Sequence, residues 1–343
     1  MFFSSDNASC VPPEVMDALM RANSGAEMPY GHDTIMDQVR HTVREVFEAP
    51  EAAVYLVATG TAANSLSLAC LCPPWGAALC HSTAHVQMDE GNAPEFFMDG
   101  GKLVLVPGAD GRMDPDALRA TLGRMTPASI HNALPAALTL TNTTELGTVY
   151  SPDQIAELTA IARAADLGVH LDGARFANAL VATNASPADM TWKAGVDIVT
   201  LGGTKNGLLG VEAVILFDPA RATEFERRRK RGGHLFSKHR YLSAQMLAYL
   251  QDGLWLRLAR QANAAAQRLA RGIESIPGGR LIHPCEANIV FADVPEAAHT
   301  RARAAGASYY LNKTVDHPLG ARLVTSWNTT DADVDRFLGH LRG

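Results

Sequence analysis

One of the six lysines in the 343-residue chain directly follows both an apolar, strand-like segment and a pair of glycines. It is Lys205, in the segment Thr200-Leu-Gly-Gly-Thr-Lys-Asn-Gly207. A Gly-Gly turn lets the backbone approach a ligand closely, and a lysine partly removed from water at a strand end can attack a carbonyl group. A surface lysine in a glycine-rich loop would show the same pattern, so both interpretations stay open.

A second segment, Val169-His-Leu-Asp-Gly-Ala-Arg175, places an aspartate at the end of an apolar strand. In an open α/β sheet, ligands gather at the carboxyl ends of the strands. Asp172 could there hold a pyridine nitrogen protonated, which makes the ring an electron sink. Arg175 could hold a carboxylate with two hydrogen bonds. A structural ion pair between Asp172 and Arg175 is the alternative.

A third segment, Ala58-Thr-Gly-Thr-Ala-Ala-Asn64, has the pattern of a strand, a turn of small residues and a helix start. Free backbone N–H groups and the helix dipole make such a turn a site for anions. Gly60 would allow close approach, and the Thr61 hydroxyl could donate a hydrogen bond. The segment does not match the dinucleotide-binding G-x-G-x-x-G pattern. Many helices begin this way without binding anything.

The elements that must position these segments alternate along the first two thirds of the chain. Short apolar segments predict strands at 53–58, 102–106, 137–141, 169–171, 198–201 and 214–217. Longer amphipathic segments predict helices at 62–71, 115–122 and 152–165, the last two with Asp114 and Ser151 as N-caps. This alternation predicts an α/β fold with a mostly parallel sheet.

The pattern changes after about residue 220. The remaining predicted elements are a long helical stretch at 240–271 with a possible break at Gly253, strands at 288–292 and 322–326, and a helix at 331–341. We therefore expect a large domain with an N-terminal arm at residues 1–245 and a smaller α+β domain at residues 246–343. Ligand sites commonly lie in the cleft between two such domains.

Composition narrows the class of protein. A net charge of −6 argues against a nucleic-acid partner, and no apolar run is long enough to span a membrane. The N-terminus has no pattern of a secretory signal. Five scattered cysteines indicate free thiols in a reducing compartment, so we expect a cytoplasmic protein. Cys70 and Cys72 have no second cysteine pair to complete a zinc site, so no metal is expected.

Several segments, taken in order, resemble the low-specificity L-threonine aldolase and β-eliminating lyase family. They are SSDNAS, ATGTAANS, TAHVQMDEGNAPEFF, LDGARFANA, WKAGVD, LGGTKNG and RLVTSW. The resemblance covers nearly the whole chain and is greatest to the bacterial branch that includes phenylserine aldolases. It implies the fold type I of pyridoxal-phosphate-dependent transferases, with a mostly parallel seven-stranded sheet in the large domain and a smaller C-terminal α+β domain.

The resemblance also implies the cofactor and its contacts. Pyridoxal 5'-phosphate (PLP) would be held as a Schiff base on Lys205, with Asp172 paired to its pyridine nitrogen and His85 stacked on its ring. Arg175 would lie at the cofactor as well. The phosphate would be bound by Gly60, Thr61 and Thr204.

The substrate contacts follow from the same resemblance. The substrate would be an amino acid, a small molecule, whose carboxylate is held by Ser5, Arg175 and Arg322. Tyr30 resembles a tyrosine that enters the active site from a neighbouring subunit. The basic stretch at 238–240 resembles a second cross-subunit contact, to the phosphate. A homodimer or homotetramer with shared active sites is therefore expected.

One segment departs from the family pattern. Many members carry a histidine in an E-N-T-H-N-G-like segment, but this chain reads Thr141-Asn-Thr-Thr-Glu-Leu-Gly147, with Thr144 at that place. A threonine cannot act as a base near pH 7, so His85, or a water near Glu90, would accept the proton instead. Gln87 replaces an aromatic residue and can alter selectivity between hydroxyl configurations.

The expected reaction is cleavage of β-hydroxy-α-amino acids to glycine and an aldehyde, with L-threonine, L-allo-threonine and phenylserine as substrates. An aminotransferase or a β-eliminating lyase on the same fold is the alternative among PLP enzymes. A non-catalytic protein that binds PLP or an amino acid, and a lysine aldolase without PLP, are two further alternatives. Lys205, Asp172 and Arg175 together disfavour the first, and Asp172 and the phosphate-binding turn disfavour the second.

Overall fold

The larger of two β-sheets is mostly parallel, as the sequence predicts. The computed structural model describes residues 1–125 and 130–343. The strands of this sheet are β1 (Ala53–Val57), β2 (Gly76–His81), β3 (Lys102–Val106), β4 (Leu134–Thr141), β5 (Gly168–Gly173), β6 (Ile198–Gly202) and β7 (Glu212–Leu216). They lie in the order β1-β7-β6-β5-β4-β2-β3. Strand β7 is antiparallel to both of its neighbours, and the other pairs are parallel.

Helices cover both faces of this sheet and one face of the smaller one. They are α1 (Pro13–Ala22), α2 (Thr34–Val46), α3 (Gly60–Leu71), α4 (His85–Met88), α5 (Ala93–Phe97), α6 (Pro115–Arg124), α7 (Pro152–Ala164), α8 (Phe176–Thr183), α9 (Ala222–Arg231), α10 (Arg240–Leu250), α11 (Leu254–Glu274), α12 (Glu296–Ala304) and α13 (Asp331–Arg342). None of the helices formed by the described residues is both long and apolar enough to cross a bilayer.

Three local predictions of helix boundaries are confirmed. The Asp114 side chain accepts a hydrogen bond from the N–H of Ala117 and caps α6. Ser151 and Gln154 form a reciprocal capping box at the start of α7. The expected break at Gly253 separates α10 from α11, because this glycine has a φ of +65° that most residues avoid.

The smaller sheet is antiparallel and carries the N-terminal arm. Its strands are β8 (Arg280–Leu281), β9 (Ile289–Asp293), β10 (Tyr310–Leu311) and β11 (Gly320–Val324), in the order β10-β11-β9-β8. Backbone hydrogen bonds join Phe3 to Ser308 and to Val324. The Phe3 side chain is fully buried in the core of this sheet. The arm thus runs from the small sheet toward the large one.

The two hydrophobic cores meet along α11. Side chains from Leu242 to Ala259 pack into the core of the large sheet, whereas those from Ala265 onward pack into the core of the small sheet. The predicted division between residues 245 and 246 falls inside α10, before the change of core. We propose that the boundary lies instead within α11, between Ala259 and Ala265.

Candidate active site

The three segments that the sequence singled out meet in one cleft. Thr141 at the end of β4 lies opposite Asp172 in β5, which in turn lies opposite Thr200 in β6. Lys205, Asp172 and the Thr59–Thr61 turn all line the cleft at this edge of the sheet. The expected gathering of functional groups at the carboxyl ends of the strands is therefore present.

Lys205 lies in a single 3-10 turn, Thr204–Asn206, immediately after β6. The two glycines before Thr204 are required by packing. A side chain at Gly202 would meet the carbonyl of Ala174, and one at Gly203 would meet Leu208. Within the described residues, the Lys205 amine forms no hydrogen bond or ion pair. It is therefore available for a ligand in the cleft.

Asp172 is almost completely buried. Its Oδ2 accepts a hydrogen bond from Nδ2 of Asn64 at 3.0 Å, and its Oδ1 accepts one from the N–H of Ala174 at 3.0 Å. Asn64 lies one turn after the start of α3 and also lines the cleft. The two bonds fix the direction in which the carboxyl group faces the cleft.

The start of α3 forms the anion-binding turn. Thr59 is the N-cap, and its hydroxyl oxygen accepts a hydrogen bond from the N–H of Ala62 at 3.2 Å. No atom lies within 4 Å of the position that a Cβ on Gly60 would occupy, so the turn is open on that side. Gly60 and Thr61 begin the helix, where backbone N–H groups have no partner inside the helix. A phosphate group fits such a turn.

His85 and Glu90 form one hydrogen-bonded pair. Nδ1 of His85 lies 2.8 Å from Oε1 of Glu90, whose side chain is fully buried. This hydrogen bond raises the pKa of His85, and burial raises the pKa of the Glu90 carboxyl. Because Nδ1 is hydrogen-bonded to the carboxylate, Nε2 is the ring nitrogen that remains for a ligand in the cleft. The two proton acceptors that the sequence left as alternatives, His85 and a water near Glu90, would therefore lie at the same hydrogen-bonded pair, and the choice between them stays a prediction.

Arg175 is held in place by Asp6 of the N-terminal arm. Its Nε and Nη2 donate to the two carboxylate oxygens of Asp6 at 2.7 and 3.0 Å, and both side chains are buried. Asp6 thus uses two of the five N–H donors of Arg175, and the donors on Nη1 and one on Nη2 remain. The expected two-bond hold on a substrate carboxylate stays a prediction. Arg175 is not paired with Asp172, the alternative that the sequence left open.

Arg322, unlike Arg175, has no partner among the residues that the structure describes. This residue of β11 is half-buried, and its guanidinium forms no hydrogen bond or ion pair with any residue that the structure describes. Burial and the positive charge of Arg175 lower its pKa. Two guanidinium groups close enough to repel, one of them without a partner, create a site that favours an anion.

The N-terminal arm places Asn7 in the cleft and Ser5 in a neighbouring cavity. Ser5 lines a neighbouring cavity with Ser9 and Ser326, and its hydroxyl accepts a hydrogen bond from the N–H of Asn7 at 3.1 Å. Asn7 itself lines the cleft beside Lys205. A contact between Ser5 and a substrate stays a prediction.

The residues expected to serve a neighbouring subunit lie apart from this cleft. Tyr30 is exposed, and the Lys230 ammonium lies 5.7 Å from its ring centre. Arg240 donates to the backbone carbonyls of Ala22, Ser24 and Gly25 within its own chain. Both cross-subunit contacts stay predictions.

Thr144 does not substitute for the missing histidine. Its side chain is buried, and its hydroxyl lies 2.8 Å from that of Thr148. The Thr148 hydroxyl in turn donates to the carbonyl of Asp110 at 2.6 Å. The Thr144 hydroxyl is therefore used inside its own loop.

Asn7, Asn64 and Glu212 are among the cleft residues to which the sequence interpretation assigned no role. Asn64 follows Gly60 by one helical turn, so the helical period would have placed the two on the same face of α3. Glu212 could have been noticed as a charged residue at the start of an apolar strand. Asn7 had no such signal, because the arm has no regular pattern.

Comparison with known proteins gives consistent matches over the whole chain. The family model for β-eliminating lyases matches residues 3–297. A low-specificity L-threonine aldolase of Pseudomonas sp. is 40% identical over 99% of this chain and 96% of its own length. The enzyme of the same name from Pseudomonas aeruginosa is 42% identical over 97% of this chain and 94% of its own.

A solved structure of similar shape supports the same grouping. The threonine aldolase of Leishmania major superposes with a TM-score of 0.93 and 27% identity. The superposition covers 99% of this chain and 98% of the Leishmania chain. The similarity thus includes both sheets and the arm.

Proposed function

This chain belongs to the β-eliminating lyase family, and on that premise we propose that it is a PLP-dependent aldolase. It cleaves L-threonine and related β-hydroxy-α-amino acids, L-allo-threonine and phenylserine among them, to glycine and an aldehyde. The observation that carries this proposal is the convergence of Lys205, Asp172 and the Gly60–Thr61 turn in one cleft. The enzyme is accordingly a lyase.

The residues of the cleft fit PLP. Lys205 offers an amine without a partner, Asp172 offers a buried and oriented carboxyl group, and the open turn at Gly60 and Thr61 offers an anion site. Thr204 would complete the phosphate contacts. When bound, PLP accepts electrons from the Cα of the attached amino acid. Asp172 would favour this by keeping the pyridine nitrogen protonated.

The substrate carboxylate would bind between Arg322 and the remaining N–H donors of Arg175. Arg322 is suited to this because its guanidinium has no partner among the described residues. Asp6 keeps Arg175 in place by binding its other two donors. Fixing the carboxylate fixes the torsion about the N–Cα bond of the substrate. This torsion decides that the Cα–Cβ bond is the one aligned for cleavage.

The β-hydroxyl proton would be taken by Nε2 of His85. Glu90 supports this role because its carboxylate accepts the proton on Nδ1, orients the ring and raises the pKa of His85. General-base catalysis of this kind typically contributes about 10²–10⁴-fold to the rate. Loss of that proton lets the hydroxyl become the carbonyl of the leaving aldehyde.

We further propose a homodimer or homotetramer in the cytoplasm. Exposed Tyr30 is the group expected to reach a neighbouring active site. The five cysteines are all free, which agrees with a reducing compartment.

Product analysis tests the proposed function. The PLP-loaded protein is incubated with L-threonine, L-allo-threonine or either phenylserine diastereomer, each with and without a keto-acid acceptor. We expect glycine and the matching aldehyde in equal amounts. A new amino acid formed from the keto acid would instead identify an aminotransferase. Ammonia and a keto acid without glycine would identify a β-eliminating lyase.

A further inference from the structure

Glu212 is a buried carboxyl group in the wall of the cofactor cleft, and the mechanism above gives it no role. It is the first residue of β7 and lies opposite Gly202 of β6. Its Oε2 accepts a hydrogen bond from the N–H of Gly203 at 2.7 Å. Glu212 therefore holds the turn that carries Thr204 and Lys205.

A negative charge at this position would oppose the proposed ligand. The same cleft contains Gly60, Thr61 and Thr204, the residues assigned to the phosphate. A phosphate monoester carries a charge of about −1.5 to −2 near pH 7, and like charges in a water-poor cleft repel strongly. Within the described part of the chain, no cation lies within ion-pair distance of the Glu212 carboxyl.

The surroundings of Glu212 contain few other titratable groups. Lys205 faces it from the 3-10 turn, and Tyr249 faces it from α10. The residue next to it on β1 is Val57, that on β6 is Gly202, and α3 carries no charged side chain. Burial raises the pKa of the Glu212 carboxyl to about 7. It can therefore be protonated or ionised within the physiological range.

We propose that Glu212 is a positioning residue for the cofactor phosphate, holding the Gly203–Thr204 turn in its neutral form and weakening phosphate binding when it ionises. The inference rests on the proposed function, which places the phosphate at Gly60, Thr61 and Thr204. Neutral Glu212 keeps an oxygen that can accept the Gly203 N–H. Ionised Glu212 keeps the same bond but adds a charge of the same sign as the ligand.

The expected effect is a loss of phosphate-ligand affinity as pH rises. Below pH 7, Glu212 is protonated in the free protein and binding needs no proton uptake. Above pH 7 the protonated, tighter-binding fraction falls about tenfold per pH unit, so the apparent dissociation constant rises by up to the same factor. Glu212→Gln is neutral at every pH and retains an acceptor oxygen. Its affinity should lack this decline.

Binding to the full-length apoprotein measures the effect without catalysis. Pyridoxamine 5'-phosphate is titrated by fluorescence from pH 6 to pH 9, because its amine cannot form a Schiff base with Lys205. Pyridoxamine, which has no phosphate, is the control ligand. The proteins are wild type, Glu212→Gln, Glu212→Ala and Glu51→Gln, the last an exposed carboxyl before β1. Ionisation of the ligand itself affects all four proteins equally.

The inference expects wild type and Glu51→Gln to lose affinity above pH 7, and Glu212→Gln to stay about tenfold tighter at pH 8. Pyridoxamine should not separate these proteins. Identical pH profiles for wild type and Glu212→Gln would overturn the inference, as would a Glu212→Ala protein that keeps the wild-type decline. If wild type bound both ligands equally, the phosphate assignment itself would be wrong. Threonine cleavage by the wild type is assayed separately. Failure of the proposed aldolase activity can then be distinguished from failure of the inference about Glu212.

Discussion

Glu90 and Asp172 share one hydrogen-bond donor, since Nδ2 of Asn64 lies 2.9 Å from Oε1 of Glu90 and 3.0 Å from Oδ2 of Asp172. The orientation of this amide is fixed from its other side, where Thr200 donates to Oδ1 of Asn64 at 3.1 Å. The same oxygen of Glu90 also binds His85. One amide thus connects the proposed base with the proposed partner of the cofactor nitrogen.

Asn64→Ala should weaken both ends of this connection. Each buried carboxyl group loses a hydrogen bond, and a bond to a charged group is worth about 1.5–3 kcal/mol. We expect kcat/KM for L-threonine to fall by about tenfold or more and PLP to dissociate faster. Steady-state kinetics and PLP retention on dialysis measure the two effects. A variant with wild-type values for both would show that the shared amide has no functional part.

Glu90→Gln should shift the pH dependence of the reaction. The base must be unprotonated, and Glu90 raises the pKa of His85, which places the acidic limb at higher pH. Without the carboxylate, the pKa of His85 falls and the acidic limb of kcat/KM moves to lower pH, while the maximum rate declines because the ring is less basic. A pH–rate profile of both proteins tests this. An acidic limb that stays in place would exclude His85 as the titrating base.

Arg322→Gln should mainly affect substrate binding. The side chain keeps much of its length but loses the charge that has no partner among the described residues. Loss of bonds to a carboxylate predicts a KM for L-threonine about tenfold to hundredfold higher. PLP binding should be unchanged. Arg336→Gln, on the exposed side of α13, is the matched control. Equal KM values for the two variants would remove Arg322 from the substrate site.

Asp6→Asn should destabilise the fold in a pH-dependent way. Burial by itself raises the pKa of Asp6, but the charge and hydrogen bonds of Arg175, together with Lys205 and Asn288, outweigh burial and hold the pKa below its usual value. The stabilisation is therefore complete above the unfolded-state pKa of about 4 and is lost as pH falls through the lower folded-state pKa. Breaking such a buried pair costs about 3–5 kcal/mol.

Urea unfolding of wild type and Asp6→Asn at pH 7 and pH 3 measures this difference. The gap in the free energy of unfolding should be large at pH 7 and smaller at pH 3. An equal gap at both pH values would mean that the ionic form of Asp6 adds no stability.

Local patterns in the sequence were sufficient for much of the fold and of the site. The strand ends at Asp172 and before Lys205, and the helix start at Gly60, follow from spacing and residue type alone. Strand β2 was missed because Gly76–His81 consists mainly of small residues and has no β-branched side chain, although all six of its residues are buried.

Long-range pairs could not be predicted in the same way. Asp6 binds Arg175 across 169 positions of the chain, so nothing near Arg175 shows that two of its donors are used. The backbone pairing of the arm with the small sheet also decides which of its residues lies in the cleft, and that residue is Asn7 rather than Ser5. Such contacts depend on tertiary packing, which residue spacing does not record.

The central claim is that Lys205 carries the cofactor for cleavage, and replacing this lysine tests it most directly. Wild type, Lys205→Ala and Lys313→Ala, an exposed control on the small domain, are purified with PLP and compared by visible absorbance and by glycine formation from L-threonine. We predict that Lys205→Ala loses the visible absorbance of protein-bound PLP and nearly all turnover, whereas Lys313→Ala keeps both. A Lys205→Ala protein with wild-type absorbance and turnover would contradict the account.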